Sequence, residues 1–260
     1  MISALTTGRA LNAEWIKIRS LRSTWIAAAI ATVVTVLISE LIYRSAANSW
    51  ATYPPRERAA FDPVRTGYAS AFVLAVLALG TLGTLTASSE YGTGLIRTTF
   101  TATPRRRHVV TAKIIVVGGL ALALGETASF TIFALGQHTI AGTGASVPLT
   151  HPGVARAVVG SGVFLAVIAL VGLALGFLIR STAGAVAAVV GLYFVAPVLL
   201  GSISDTLSKL ALESAFSGVV TTVPRPDHVQ PSAPTAFLIL AGYVVVGLGA
   251  AVVAVHRRDA

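Results

Sequence analysis

Glu126 sits in the middle of a long apolar run, where an ionised carboxylate costs about 2.5 to 3.5 kcal/mol on insertion scales. It must be protonated, paired or turned toward a polar cavity. Two roles fit: lining a substrate path or subunit interface, or a protonated acid hydrogen-bonded to Ser or Thr on another helix. Glu40 is different, because Arg44 stands four residues on, the spacing of an ion pair along one helix face. The five histidines, His108, His138, His151, His228 and His256, never approach metal-ligand spacing, and H-E-x-x-H is absent; no metal site is expected. There is no cysteine, which removes disulfides, thiolate sites and a Cys nucleophile. A G-x-S-x-G nucleophile elbow is missing as well, which argues against a serine hydrolase. No G-x-x-x-x-G-K-[ST] phosphate loop occurs, so any ATP used must be bound by another chain.

The elements that must position these residues follow from composition. Of 260 residues, 55% are hydrophobic and 11% charged, and the mean hydropathy is +0.81. Soluble domains carry about 25% charged residues, so the bilayer is the natural solvent. Six near-uncharged stretches have the length of about 20 residues that crosses the hydrocarbon core: Thr24–Tyr43, Ala69–Ser88, Ile114–Ala134, Val158–Ile179, Ala183–Ile203 and Ala236–Val255. Backbone in lipid must satisfy its own hydrogen bonds, which makes each a helix, and no alternating segments of barrel length appear. Residues 1–260 thus read as one all-α, polytopic domain. The first span starts too late and runs too long for a signal peptide, and is expected to remain uncleaved.

The net charge is +9, and sixteen of the nineteen basic residues are Arg. They cluster beside apolar runs instead of along a stacking polar stripe, which points away from nucleic acid and toward a membrane face. With both termini cytoplasmic, inner segments hold 12 Lys and Arg against 7 outside, and Arg105, Arg106 and Arg107 fall inside. Within the membrane, Gly172 with Gly176, Gly184 with Ala188 and Ala187 with Gly191 form small-xxx-small pairs suited to close helix approach. Pro197 is expected to kink the fifth span.

Three segments lie outside the spans. Residues 1–23 hold a short helix with Leu11, Trp15 and Ile18 on one face, expected to lie at the interface with Trp15 at headgroup level and Lys17, Arg19 and Arg22 toward anionic lipid. The cytoplasmic stretch 89–113 is too long for a tight turn; Gly92 and Gly94 break the second helix, Pro104 is placed to open another, and Arg105 to Arg107 with Lys113 set a basic collar. In the outer loop 204–235, Asp205, Lys209 and Glu213 stand at i, i+4 and i+8 of a short helix with Leu207, Leu210 and Ala211 on one side. A proline-rich connector follows.

Taken together, the E-W-x-K-x-R-S-x-R-S-T-W run at Glu14 to Trp25, the six spans, the E-Y-x-x-G-x-x-R segment from Glu90 to Arg97 and the P-R-R-R...K pattern ending at Lys113 resemble the membrane-spanning permease subunits of type-2 ABC transporters, over almost the whole chain. The resemblance implies an N-terminal helix along the inner membrane surface, short helices re-entering the outer leaflet within 204–235, and a coupling loop after the second span that docks a separate ATPase. On that reading Glu90, Tyr91, Gly92, Arg97, Pro104, Arg105, Arg106, Arg107 and Lys113 form the docking loop, with Glu90 and Arg97 its main charged contacts. It further implies an inner-membrane exporter built from two permease subunits and two ATPase subunits. ATP and magnesium belong to the ATPase, and this chain binds no cofactor. Two readings compete: a sensor or immunity component on the same fold, and an ion-coupled carrier with Glu126 as the coupling acid. A proton-coupled carrier usually brings more than one mid-membrane ionisable residue, and Glu126 stands alone.

Overall fold

Among the described residues, six helices are long and apolar enough to cross a bilayer, and each coincides with an expected span. The computed structural model describes residues 2–20, 22–69, 71–95, 106–223 and 229–257. In chain order, α1 (Ile2–Ser20) leads into the first span, α2 (Arg22–Ser49), and the short α3 (Pro55–Ala59) and α4 (Arg65–Tyr68) precede the second, α5 (Phe72–Gly92). The third and fourth are α6 (Arg106–Ile140) and α7 (Val154–Ile179). The fifth comprises α8 (Thr182–Val190), a π-helical turn (Gly191–Val195) and α9 (Ala196–Ile203). Then α10 (Asp205–Ser208) and α11 (Leu212–Val220) lead to the sixth, α12 (Ala233–Arg257). No strand occurs among the described residues.

The ends differ from expectation most in α6, which runs for 35 residues where hydropathy marks only Ile114–Ala134. Its extra turns carry Lys113, Gln137 and Thr139, whose polar ends are satisfied inside the protein: Gln137 Nε2 donates to the Pro63 carbonyl at 3.0 Å, and Thr139 Oγ1 to Glu40 Oε1 at 2.8 Å. Polarity ends a hydropathy window; it does not end a helix whose polar groups have partners. Glu40 also takes the expected ion pair from Arg44 Nε, at 2.8 Å.

The most buried helix is α7, packed against α5, α6 and α12. Small residues allow the approach. A Cβ on Gly172 would collide with the Gly80 carbonyl oxygen of α5, one on Gly176 would stand 2.7 Å from that of Thr84, and one on Gly83 would overlap the Ala169 carbonyl oxygen. The Gly172–Gly176 pair therefore works as expected. Of the two pairs beginning in α8, Ala187 with Gly191 does not pack among the described residues: Ala187 is exposed and nothing lies within 4 Å of a Cβ on Gly191. Instead Val189 of α8 meets Gly80. Two residues before Pro197 the π-helical turn ends; the missing proline N–H removes one helical bond, and the wider turn absorbs the misfit.

At the end of the bundle remote from α1, Asp62 is 1% exposed and its carboxylate accepts from five donors: the backbone N–H of Val64, Arg65, Thr222 and Val223, and Thr222 Oγ1, at 2.6 to 3.0 Å. Arg156 of α7 donates to the Gly218, Val219 and Thr221 carbonyls. These contacts tie α11 into the bundle, and Phe216 stacks between Phe72 and Phe164, at 5.2 and 4.5 Å between centroids. The expected charge ladder does not form on one helix, because the chain breaks between Ser208 and Leu212. Burial of Ala211 and Leu212 draws the second half inward, leaving Leu210 at the surface.

Candidate functional site

Four charged side chains from three elements meet at the α1 end of the bundle. On α1, Glu14 and Ile18 stand one turn apart on the buried side, 3% and 4% exposed. From α5 comes Glu90, two residues before the helix ends, and from α6 Lys113, 1% exposed. Lys113 Nζ lies 2.7 Å from Glu14 Oε2 and 2.9 Å from Glu90 Oε1, and donates to the Thr86 carbonyl at 3.1 Å. Lys17 Nζ lies 2.9 Å from Glu14 Oε1 and 2.8 Å from Glu90 Oε1. Two acids and two bases cancel, so three buried charges are tolerated where any one alone would cost several kcal/mol. Glu90 Oε2 is buried and accepts no hydrogen bond. Burial alone would lower the Lys17 ammonium, but Glu90 and Glu14 outweigh it and hold it above its ordinary value.

The cluster rewrites several expectations. Lys113 and Glu90, read as a basic collar and a docking contact, face each other and Glu14 inside the protein. Lys17, expected to meet anionic lipid, bridges the two glutamates. The inward face of α1 carries Glu14 and Ile18, whereas Trp15 is 42% exposed, so the Leu11–Trp15–Ile18 side is divided between the bundle and the surface. Glu14 belongs to no sequence-derived site; its signal was the E-x-x-K spacing to Lys17 on one helix face.

The rest of the docking loop is described in part. Tyr91 is half-buried, its ring edge-on to Phe177 and 4.8 Å from the guanidinium carbon of Arg180. Arg180 caps α7 with φ +59°. Gly92 is the exposed last residue of α5, and Gly94 turns the chain at φ +72°. Arg19 and Arg107 are exposed. Arg97, Pro104 and Arg105 lie outside the described residues, as do the side chains of Arg22 and Arg106.

Glu126 lies on α6 where it crosses α7. Its carboxyl packs over Gly162, where a Cβ would overlap it, and its Oε2 is buried without a hydrogen-bond partner. Among the described residues, no Ser or Thr donates to that oxygen, the partner expected for a protonated acid. Nearby Ser129 donates instead to the Val158 carbonyl at 2.6 Å, and also contacts the Tyr68 hydroxyl.

Six apolar helices with their own packed core make this a multi-pass membrane protein. The family model described as ABC-2 family transporter protein matches residues 10–196, and the chain belongs to that family. It is accordingly the membrane permease part of an ABC transporter, whose ATPase in this family is typically a separate chain. The match takes in the second half of α1, the charge cluster, the first four spans and most of the fifth, and stops at Ala196, next to Pro197. No curated protein matches the chain.

Proposed function

We propose that this chain is an exporter permease of the inner cell membrane, with both termini cytoplasmic, acting as a pair with a like subunit on two copies of an ATPase that carries ATP and magnesium. The ATPase docks on the segment that leaves α5 and returns at α6, with Arg97 and Arg105 to Arg107 as its charged contacts. The observation that carries the reading is the cluster of Glu14, Lys17, Glu90 and Lys113. It clamps α1 to the last turn of α5 and the first turns of α6, so a push on the intervening loop moves both spans and α1 as one piece. Faces of α2, α9 and α12 that carry Ile30, Leu37, Val198, Ile203, Leu238 and Val246, each more than half exposed, are where lipid and the second subunit would lie.

Co-purification from the native membrane tests the reading. An ABC-type ATPase should copurify with the parent chain, and substituting Arg97, Arg105, Arg106 and Arg107 together by Ala should weaken that association while the permease still inserts. If no such ATPase accompanies the parent, the exporter reading falls. If the quadruple variant binds as the parent does, the docking contacts lie elsewhere.

A further inference from the structure

At the edge of α6 beside α7, the half-buried Glu126 carries a carboxyl that the charge cluster leaves unused. Glu126 is followed one turn later by Phe130, 41% exposed, and preceded one turn earlier by Leu122, 39% exposed, so acid, ring and aliphatic chain lie along one edge of the helix. By its rise of 1.5 Å per residue, α6 carries Glu126 about 20 Å from Lys113, and Lys113 is already engaged by two glutamates. No Lys or Arg occurs on α6 between Lys113 and Ile140, on α5, or on α7 beyond Arg156, and Arg156 is committed to three carbonyls at the far end. Among the described residues, α5, α6 and α7 thus offer Glu126 no countercharge, and its carboxyl is wedged over Gly162 with Oε2 buried and unpartnered.

A hydrophobic organic cation has the properties this edge lacks. Its charge is spread over apolar groups, so it leaves water at smaller cost than a metal ion or a primary ammonium. It gains an ion pair with the carboxylate and attraction to the face of the neighbouring ring. We propose that Glu126 and Phe130 form a binding site for hydrophobic organic cations on the exposed edge of α6, with Leu122 as its apolar floor. This deepens the exporter reading, on which it rests for the claim that such cations are transported; binding itself does not depend on an ATPase.

The full-length chain in lipid nanodiscs, titrated with radiolabelled tetraphenylphosphonium, tests the site directly. The parent should bind saturably and Glu126→Gln about thirtyfold or more weakly, the scale of losing one partner of a desolvated charge pair. Phe130→Leu, which keeps the acid, should bind several-fold more weakly. Neutral triphenylphosphine oxide should bind the parent and E126Q alike. Parent, E126Q and F130L that all bind tetraphenylphosphonium equally, with elution profiles like the parent, would overturn the site. If E126Q does not fold, F130L decides the matter: an affinity for tetraphenylphosphonium equal to the parent's overturns the site. Loss of ATPase co-purification with binding intact would instead remove the exporter reading and leave the site standing.

Discussion

At the scale of the residue, Lys113 is the charge on which the cluster depends, because it alone touches both glutamates from within the bundle and is 1% exposed. Replacing it by Met leaves two acids with only the half-exposed Lys17 between them, and should cost about 3 to 5 kcal/mol. Glu14→Gln combined with Lys113→Met should cost less than the two single changes added, by about 0.5 to 3 kcal/mol. Thermal unfolding of the four proteins in detergent measures this cycle; strict additivity would mean that the pair does not interact. Lys17 adds a pH signature. Its folded-state pKa is raised, so its contribution is fully present below the ordinary lysine value and is lost as pH rises through the higher folded value. Melting of the parent should fall more steeply above about pH 10 than that of Lys17→Met. Lys17 is 42% exposed, so the difference should be small, as for other solvent-screened pairs.

At the scale of the element, helix crossings depend on which glycines are covered. Gly83 faces the Ala169 carbonyl oxygen of α7, whereas nothing lies within 4 Å of a Cβ on Gly119 of α6. Gly83→Ala should force α5 from α7 and cost about 1 to 3 kcal/mol, as overpacking does. Gly119→Ala adds a methyl to open space and should change stability by less than about 1 kcal/mol. Equal melting of the two variants would show that the α5–α7 crossing is looser than the backbone contact implies. The same crossing explains why α5 reaches the cluster at all: close packing sets its axis, and the axis sets where Glu90 emerges.

At the scale of the whole molecule, the two ends are built differently. The α1 end is held by ion pairs between side chains. At the other end, Asp62 and Arg156 bind backbone groups around α11, which staples α11 and the chain after it to α7 and to the start of α4. Reporter fusions after Ala145 and Pro231 should read as external and a fusion at Ala260 as internal. The reverse pattern would place the charge cluster outside the cell, where no ATPase could push on it.

Much of this architecture was legible in one dimension. The six spans follow from uninterrupted apolar length, since lipid leaves the backbone no alternative to a helix. The Glu40–Arg44 pair and the Gly172–Gly176 contact follow from helical spacing, which is local. What only the tertiary structure decided is where charges near the span ends turn. Counted along the chain, Glu14, Lys17, Glu90 and Lys113 are a surface helix and a docking collar; in space they are one neutral cluster. Their sequence separations reach 99 residues, and no periodicity reports a partner at that distance. The buried, unpartnered Oε2 of Glu126 was likewise hidden, because an acid in an apolar run reads the same whether or not a neighbouring helix offers it a hydrogen bond. Hydrophobic length is additive along the sequence, whereas charge pairing depends on which helix faces meet, and those faces are set by the glycine contacts that fix the crossings.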